Sequence, residues 1–477
     1  MAKIIENNNT NLHSVKGYSG IYNCHKYWGK KPVELYELIL DKFSKENDVG
    51  CDPFMGSGVL PSVCKVKGVN FIGCDLNPAA IDVANFFINP PNKTEVKIVL
   101  DKIKSACEDK INKTYQLKDG TIVTHIVWIE NEIDEIWTKN GKRIELIDVT
   151  EENVNTLKSV NKRKIKFFQD RELSKNSRIN VDLGQKVSDL FTERALSNID
   201  IILEFIDSLK ENEKRIARFI LSSALGQMSK MVFTIANRKK SKLVKAKERK
   251  YEVGSWVIGY WRPKTYFEIN VFEVFYGRAK RLFNAVKEEQ SDFFNNDFIK
   301  KSEISIECID AVKKLKKLKD ETLDVVITDP PHSDRIPYLE LSEMWNTFLG
   351  YKSSFKEEFI YSNSTKRSKS LDEYKSKFKE IFEQIGRVLK VGGVFILIFN
   401  TTDESVWDFI ESSIKDNAYG LNYEGRFSAD YSANSVVQDN REGALTNDWC
   451  LVISKNKSTN FKKFNALNLP SWTKEWV

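Results

Sequence analysis

No run of about 18 apolar residues occurs anywhere in the 477-residue chain, so no membrane-spanning helix is expected. The first ten residues are polar and rich in asparagine, without the apolar stretch of a secretory leader. Secretion is therefore not expected, and a cytoplasmic location is. Cysteine is sparse and scattered: positions 24, 51, 64, 74, 107, 308 and 450 form no C-x-x-C pair. They read as reduced thiols, neither a disulfide framework nor a zinc site. The histidines, 13, 25, 125 and 332, show no metal-ligand spacing either, so no metal is expected. Net charge is only +7, which excludes a uniformly basic surface.

That charge is unevenly placed. Ala236 to Lys250 contains Arg238, Lys239, Lys240, Lys242, Lys245, Lys247, Arg249 and Lys250 against a single acid, Glu248, leaving the rest of the chain nearly neutral. Such a block is either a solvated loop or an arm for a polyanion. Trp256, Tyr260, Trp261, Tyr266 and Phe267 follow beside Arg262 and Lys264. Aromatics interleaved with cations can stack bases and hold phosphates; core packing is the plainer explanation.

The most informative stretch is Leu323 to His332. A β-branched run, Val325 to Thr328, has the composition of a buried strand, and two prolines end it abruptly. Asp329 is thereby held at the carboxyl end of a strand, where open α/β sheets place their ligands. A carboxylate, a rigid proline carbonyl and the flat ring of His332 suit a planar group that carries an NH2.

A second strand end lies near the N-terminus. Asp52-Pro53-Phe54-Met55-Gly56-Ser57-Gly58 reads as strand, glycine turn and then a helix over roughly 59–67. The dinucleotide fingerprint needs a third glycine where Pro61 stands, and no G-K-[ST] follows, so neither NAD nor a P-loop fits. The next strand, Asn70 to Cys74, ends in Asp75, about 20 residues beyond the glycine turn, where a ribose diol is commonly held. Glycine turn and strand-end acid together indicate a nucleoside cofactor. Ahead of them, His25 to Pro32 packs aromatic and cationic residues before an amphipathic helix, Val33 to Phe43, as a candidate ligand wall.

The α/β rhythm stops from about residue 90 to 303. Thr121 to Trp128 and Lys142 to Val149 read as strands with turns at Gly120 and Asn140-Gly141; Glu211 to Phe233 reads as one long helix. The rhythm resumes with a strand at Ile304 to Cys308 followed by Asp310. Tyr351 to Leu371 reads as a loop beside the site. A helix from about Asp372 to Leu389 is expected to end at the Gly392-Gly393 C-cap, before a central strand at Val394 to Phe399. Tyr423 to Phe427 and Asp448 to Ser454 can form an antiparallel pair at the sheet edge.

Taken together, these residues resemble the S-adenosylmethionine-dependent DNA amino-methyltransferases, which act on adenine N6 or cytosine N4. Asp52, Pro53, Phe54, Gly56 and Gly58 match their cofactor loop. Asp75 matches the ribose acid, Asp310 the adenine contact, and Asp329-Pro330-Pro331-His332 the catalytic tetrapeptide. His25 and Lys30 fall in the motif beside the methionine end of the cofactor. The tetrapeptide usually ends in Tyr or Phe, and here ends in His332.

The resemblance implies a Rossmann-like, doubly wound α/β sheet with an antiparallel edge strand, carrying a large α+β insertion between strands 2 and 3. The expected division is residues 13–90 and 304–457 for the methyltransferase domain, 91–303 for a target-recognition insertion, and 458–477 for a tail. The implied substrate is double-stranded DNA with its target base flipped out. Asp at the first tetrapeptide position leans to adenine, with cytosine N4 and RNA guanine N2 as alternatives, and a non-catalytic nucleic-acid-binding protein as a different class. Cytosine-C5 chemistry would need a Pro-Cys pair, and none exists. A restriction or defence partner is implied by the family but cannot be named from the residues.

Overall fold

The computed structural model describes residues 18–159, 164–236, 249–257, 259–286, 302–332, 336–364, 368–401, 403–415, 420–430, 447–455 and 473–474. Among the described residues no helix is long and apolar enough to cross a membrane. The strands in chain order are β1 (Val49–Asp52), β2 (Asn70–Asp75), β3 (Val123–Ile129), β4 (Glu132–Asn140), β5 (Arg143–Ile147), β6 (Val232–Ala236) and β7 (Tyr251–Trp256). They continue with β8 (Thr265–Ile269), β9 (Ile304–Cys308), β10 (Leu323–Thr328), β11 (Leu389–Phe399), β12 (Leu421–Asp430), β13 (Asn447–Lys455) and the short β14 (Thr473–Lys474).

Eight of them form one sheet in the order β14-β12-β13-β11-β10-β1-β2-β9. The run from β11 to β9 is parallel, and β13 pairs antiparallel with both β11 and β12. This is a Rossmann-like, doubly wound sheet with an antiparallel edge. Its core strands are apolar on both faces, as a sheet covered by helices on both sides requires: Val325, Val326 and Ile327 of β10 and Phe395 to Phe399 of β11 are all buried. The chain leaves β1 to one side and β10 to the other, so the strand order reverses between them. Their carboxyl ends therefore open a crevice at the switch point.

Between β2 and β9 the chain builds a second, antiparallel sheet in the order β5-β4-β3-β8-β6-β7. Its helices do not pack apart from the first sheet. One apolar core runs from Phe86 and Phe87 on the helix Pro78–Ile88, through Phe219 on the helix Glu211–Ala224, to Trp345 on the helix Tyr338–Phe348. Phe86 and Phe219 lie face to face, 3.7 Å between centroids.

Several local expectations are corrected. The helix from Glu211 ends at Ala224, and a 3-10 turn then leads into β6, so Val232 and Phe233 are strand residues. The hairpin arm β4 was not expected. Its acid Glu135 is buried because the Trp137 indole and the Lys250 backbone N–H both donate to it. Gly392 and Gly393 do not cap a helix. The helix Leu371–Val388 ends on extended Leu389, and the glycines form a bulge inside β11, where the register jumps from Leu389 to Val394. A Cβ at Gly393 would meet the Asp324 carbonyl at 2.9 Å. Of the aromatic group after the basic block, Trp256, Tyr260 and Phe267 are core residues, and Trp261 is exposed.

Candidate active site

Four strand ends converge on one cleft of about 810 Å³. The loop after β1 turns through Gly56 (φ +54°) and Gly58 (φ +77°), a left-handed conformation that glycine adopts without a Cβ penalty. Gly58 caps the helix Val59–Lys67 and lies against Ala84, where a Cβ would stand 2.4 Å from the Ala84 Cβ. The turn thus keeps its backbone close to both the helix and the cleft.

Asp52 sits beneath the turn, 1% exposed, and accepts from the Phe54 N–H at 2.8 Å and the Thr328 hydroxyl at 2.6 Å. Burial pushes its carboxyl up to about 8, despite both donors. It ties the ends of β1 and β10 together rather than lining the cleft. Asp75 does line it, accepting from the Gly56 N–H at 3.0 Å and the Asn77 N–H at 2.8 Å. Burial raises this carboxyl to about 6. A carboxylate offers about four acceptor sites, and with the Leu76 N–H also turned to it, room remains for a diol hydroxyl. Asp310 also lines the cleft; it caps the helix Ala311–Lys317 through the Lys313 N–H at 3.0 Å and accepts from Lys377 at 2.6 Å. Pro53, Phe54, Gly56, Tyr27 and Phe359 complete the nucleoside-sized part of the wall.

Asp329 enters the same cleft from β10. Its Oδ2 is 2.8 Å from the Lys31 ammonium and its Oδ1 2.9 Å from His332 Nε2. Lys31 is only 5% exposed and also reaches Asp448 of β13 at 2.9 Å. Pro331 borders the cleft, and its carbonyl accepts from the Tyr374 hydroxyl at 2.7 Å. Pro330 does not border it; that ring lines an adjoining apolar hollow with Phe378 and Phe395.

The remaining expectations divide. His25 is not brought to the cleft: it is buried, with Nε2 2.9 Å from the Ser222 hydroxyl and its ring against Trp345 and Phe219. Burial depresses its pKa to about 3, which suits a neutral core imidazole. Lys30 borders the cleft, but its ammonium turns to the Tyr22 and His25 carbonyls and lies 4.0 Å from the Tyr18 ring. Burial lowers it to about 7. His332 packs on Phe399 at 4.5 Å instead of facing the cleft. In the basic block, Arg238, Lys239, Lys240, Lys242, Lys245 and Lys247 lie outside the described residues. Arg249 stacks on Trp137 and Lys250 pairs with Asp134. The sequence reading missed Lys31, Asp448, Tyr338 and Phe359. Lys31 alone carried a signal, as a second cation in the wall before the first helix.

Residues 4–86, which include the glycine turn and Asp75, match the family model described as DNA methylase. This stretch of the chain is similar to DNA methylases. Over 59 residues the chain is 48% identical to the Type II methyltransferase M1.MboII of Moraxella bovis, covering 12% of this chain and 23% of that one. It is 27% identical over 178 residues to M.HpaI of Haemophilus parainfluenzae, covering 36% and 52%, and 39% identical over 77 residues to M.HinfI of Haemophilus influenzae, covering 16% and 21%. The chain thus spans about half, or less, of the length of these relatives.

Proposed function

We propose that this chain transfers a methyl group from S-adenosylmethionine to the exocyclic amine of a flipped DNA base, adenine N6 in the first instance. The observation that carries the reading is the convergence in one cleft of a strand-end carboxylate, Asp329, with the glycine turn and Asp75. The residues present fit the cofactor. The room left on Asp75 suits a ribose diol hydroxyl, Asp310 suits an adenine amine, and the Gly56 turn allows close approach to the backbone. When bound, the cofactor supplies an electrophilic methyl on sulfur. An exocyclic amine is a poor nucleophile because its lone pair is delocalised into the ring. Asp329, by accepting a hydrogen bond from an amine N–H, would localise that lone pair for in-line attack; as the N–C bond forms, the sulfur–methyl bond breaks and the surplus amine proton passes to Asp329 or solvent. Flipping the base costs a few kcal/mol, which contacts elsewhere on the duplex offset.

The segment 91–303 is our candidate for those contacts, with the basic block as an arm along the phosphates. The adenine assignment follows the Asp at the head of the tetrapeptide; cytosine N4 is the second reading, because the same carboxylate serves either amine. The test is transfer from labelled cofactor to duplex DNA and to RNA, followed by digestion and nucleoside analysis. Labelled N6-methyl-2′-deoxyadenosine from DNA is the expected product. Label only in N4-methylcytosine would move the assignment, and label in neither would end it.

A further inference from the structure

Asp329 is held on both oxygens. Lys31, itself anchored by Asp448 at 2.9 Å, takes Oδ2, and His332 Nε2 takes Oδ1. The two holders and the anchor come from far apart: Lys31 from the loop before the first helix, His332 from the turn after β10, and Asp448 from the antiparallel strand β13. Gly29 completes the fit. A Cβ there would lie 2.8 Å from the Tyr338 hydroxyl and 3.9 Å from Asp329 Oδ2, and φ is +68°. The aromatic side chains that border the cleft are those of Tyr27, Trp28, Tyr36, Phe54, Tyr338 and Phe359, whereas the His332 ring rests on Phe399. Stacking is thus available from other side chains, and what His332 contributes at the cleft is a hydrogen bond.

We propose that Lys31 and His332 are positioning residues that fix the plane of the Asp329 carboxylate for the incoming amine, with Asp448 anchoring Lys31. This rests on the functional reading above. Each holder occupies one acceptor site, so one site per oxygen is left for the substrate. A carboxylate held at both oxygens cannot rotate about its Cβ–Cγ bond, so the remaining acceptor sites keep one direction. Orientation of this kind acts on turnover, since a displacement of about 1 Å at a reacting group can cost about 100-fold. In this chain the usual aromatic ring at the fourth tetrapeptide position is replaced by a donor.

Two substitutions at one position separate donor from ring. His332→Phe keeps a flat ring and removes the donor; His332→Gln removes the ring and restores an N–H. Steady-state methyl transfer should show kcat lowered about tenfold or more in His332→Phe, with KM for DNA and cofactor within about twofold. His332→Gln should recover a substantial part of that loss. Wild-type turnover in His332→Phe, or a Gln variant no better than Phe, overturns the role of His332. For the other side, Lys31→Met is combined with Asp448→Asn, so that the Asp448 charge is removed together with its ammonium partner and only the hold on Asp329 is tested. A comparable fall in kcat is expected, and unchanged kcat overturns the role of Lys31. Should that double variant fail to fold, the His332 pair still decides, because it leaves Lys31 and Asp448 in place. A wild-type chain that transfers no methyl group to any nucleic acid defeats the functional reading itself; an active wild type with a fully active His332→Phe defeats only the positioning role.

Discussion

Replacing Gly58 by alanine adds one methyl group at a place where two separate costs arise. The residue has φ +77° and ψ 29°, left-handed, which costs an L-residue about 1–2 kcal/mol. The new Cβ would also stand 2.4 Å from the Ala84 Cβ and 2.6 Å from the Ala84 Cα. Those atoms are not the far end of a flexible chain, so the helix Pro78–Ile88 must shift, at about 1–3 kcal/mol for overpacking. The expected loss is therefore roughly 2–5 kcal/mol. Gly56→Ala is the control. Its φ is +54°, but the nearest atom to its Cβ is Tyr27 Cε1 at 3.4 Å, so only the backbone cost of about 1–2 kcal/mol applies. Urea titration followed by tryptophan fluorescence reads both variants against the wild type. If Gly58→Ala loses no more stability than Gly56→Ala, close approach of the two helices is not what requires glycine at position 58.

Four further outcomes are expected. Asp329→Ala should lower turnover by about 100-fold or more with cofactor affinity unchanged, measured by label transfer and calorimetry. Asp75→Ala should weaken cofactor binding by roughly 1.5–3 kcal/mol, and equal calorimetric affinity would remove Asp75 from the site. Folding raises Asp52 from an ordinary value near 4 to about 8, so its contribution to stability is present below about pH 4 and is lost as pH rises through about 8. Asp52→Asn should therefore lose less stability than wild type between about pH 5 and 8 in denaturant titrations, and parallel profiles would contradict this. Replacing Lys239, Lys240, Lys242 and Lys245 with Gln should make the slope of log affinity against log salt shallower by up to about three or four on duplex DNA, and identical slopes would mean a merely solvated block.

What the sequence made legible was local. The β-branched run stopped by Pro330-Pro331 and the glycine turn before a helix each carry their signal within about a dozen residues. So does Asp75 at a strand end, and from such pieces the doubly wound sheet could be inferred. The clamp on Asp329 could not, because Lys31 and Asp448 reach it from opposite ends of the chain and only the sheet order brings them together. His25 went astray for the same reason. Its motif looks like a ligand wall, but Ser222, 197 positions later, supplies its partner and the core takes the ring. In β4 the acids at 132, 134 and 135 hid a strand whose buried carboxylate has its donors in other segments. The glycines at 392 and 393 follow a helix and look like its cap; their role depends on the register with β10, which no local pattern shows.

The apolar core that joins the two sheets has a consequence for how such a chain can change over time. Exchange of residues 93–286 for a foreign segment, as a cassette, would leave Phe86 without the stacked ring of Phe219 and His25 without Ser222. A transplanted segment would have to bring matching residues at each of these places at once. Recombination at the segment boundaries is therefore a poor route to new variants of this protein. Substitution and loop-length change at its exposed edges, around Trp261 and Ile235, leave the buried seam untouched and remain open to drift.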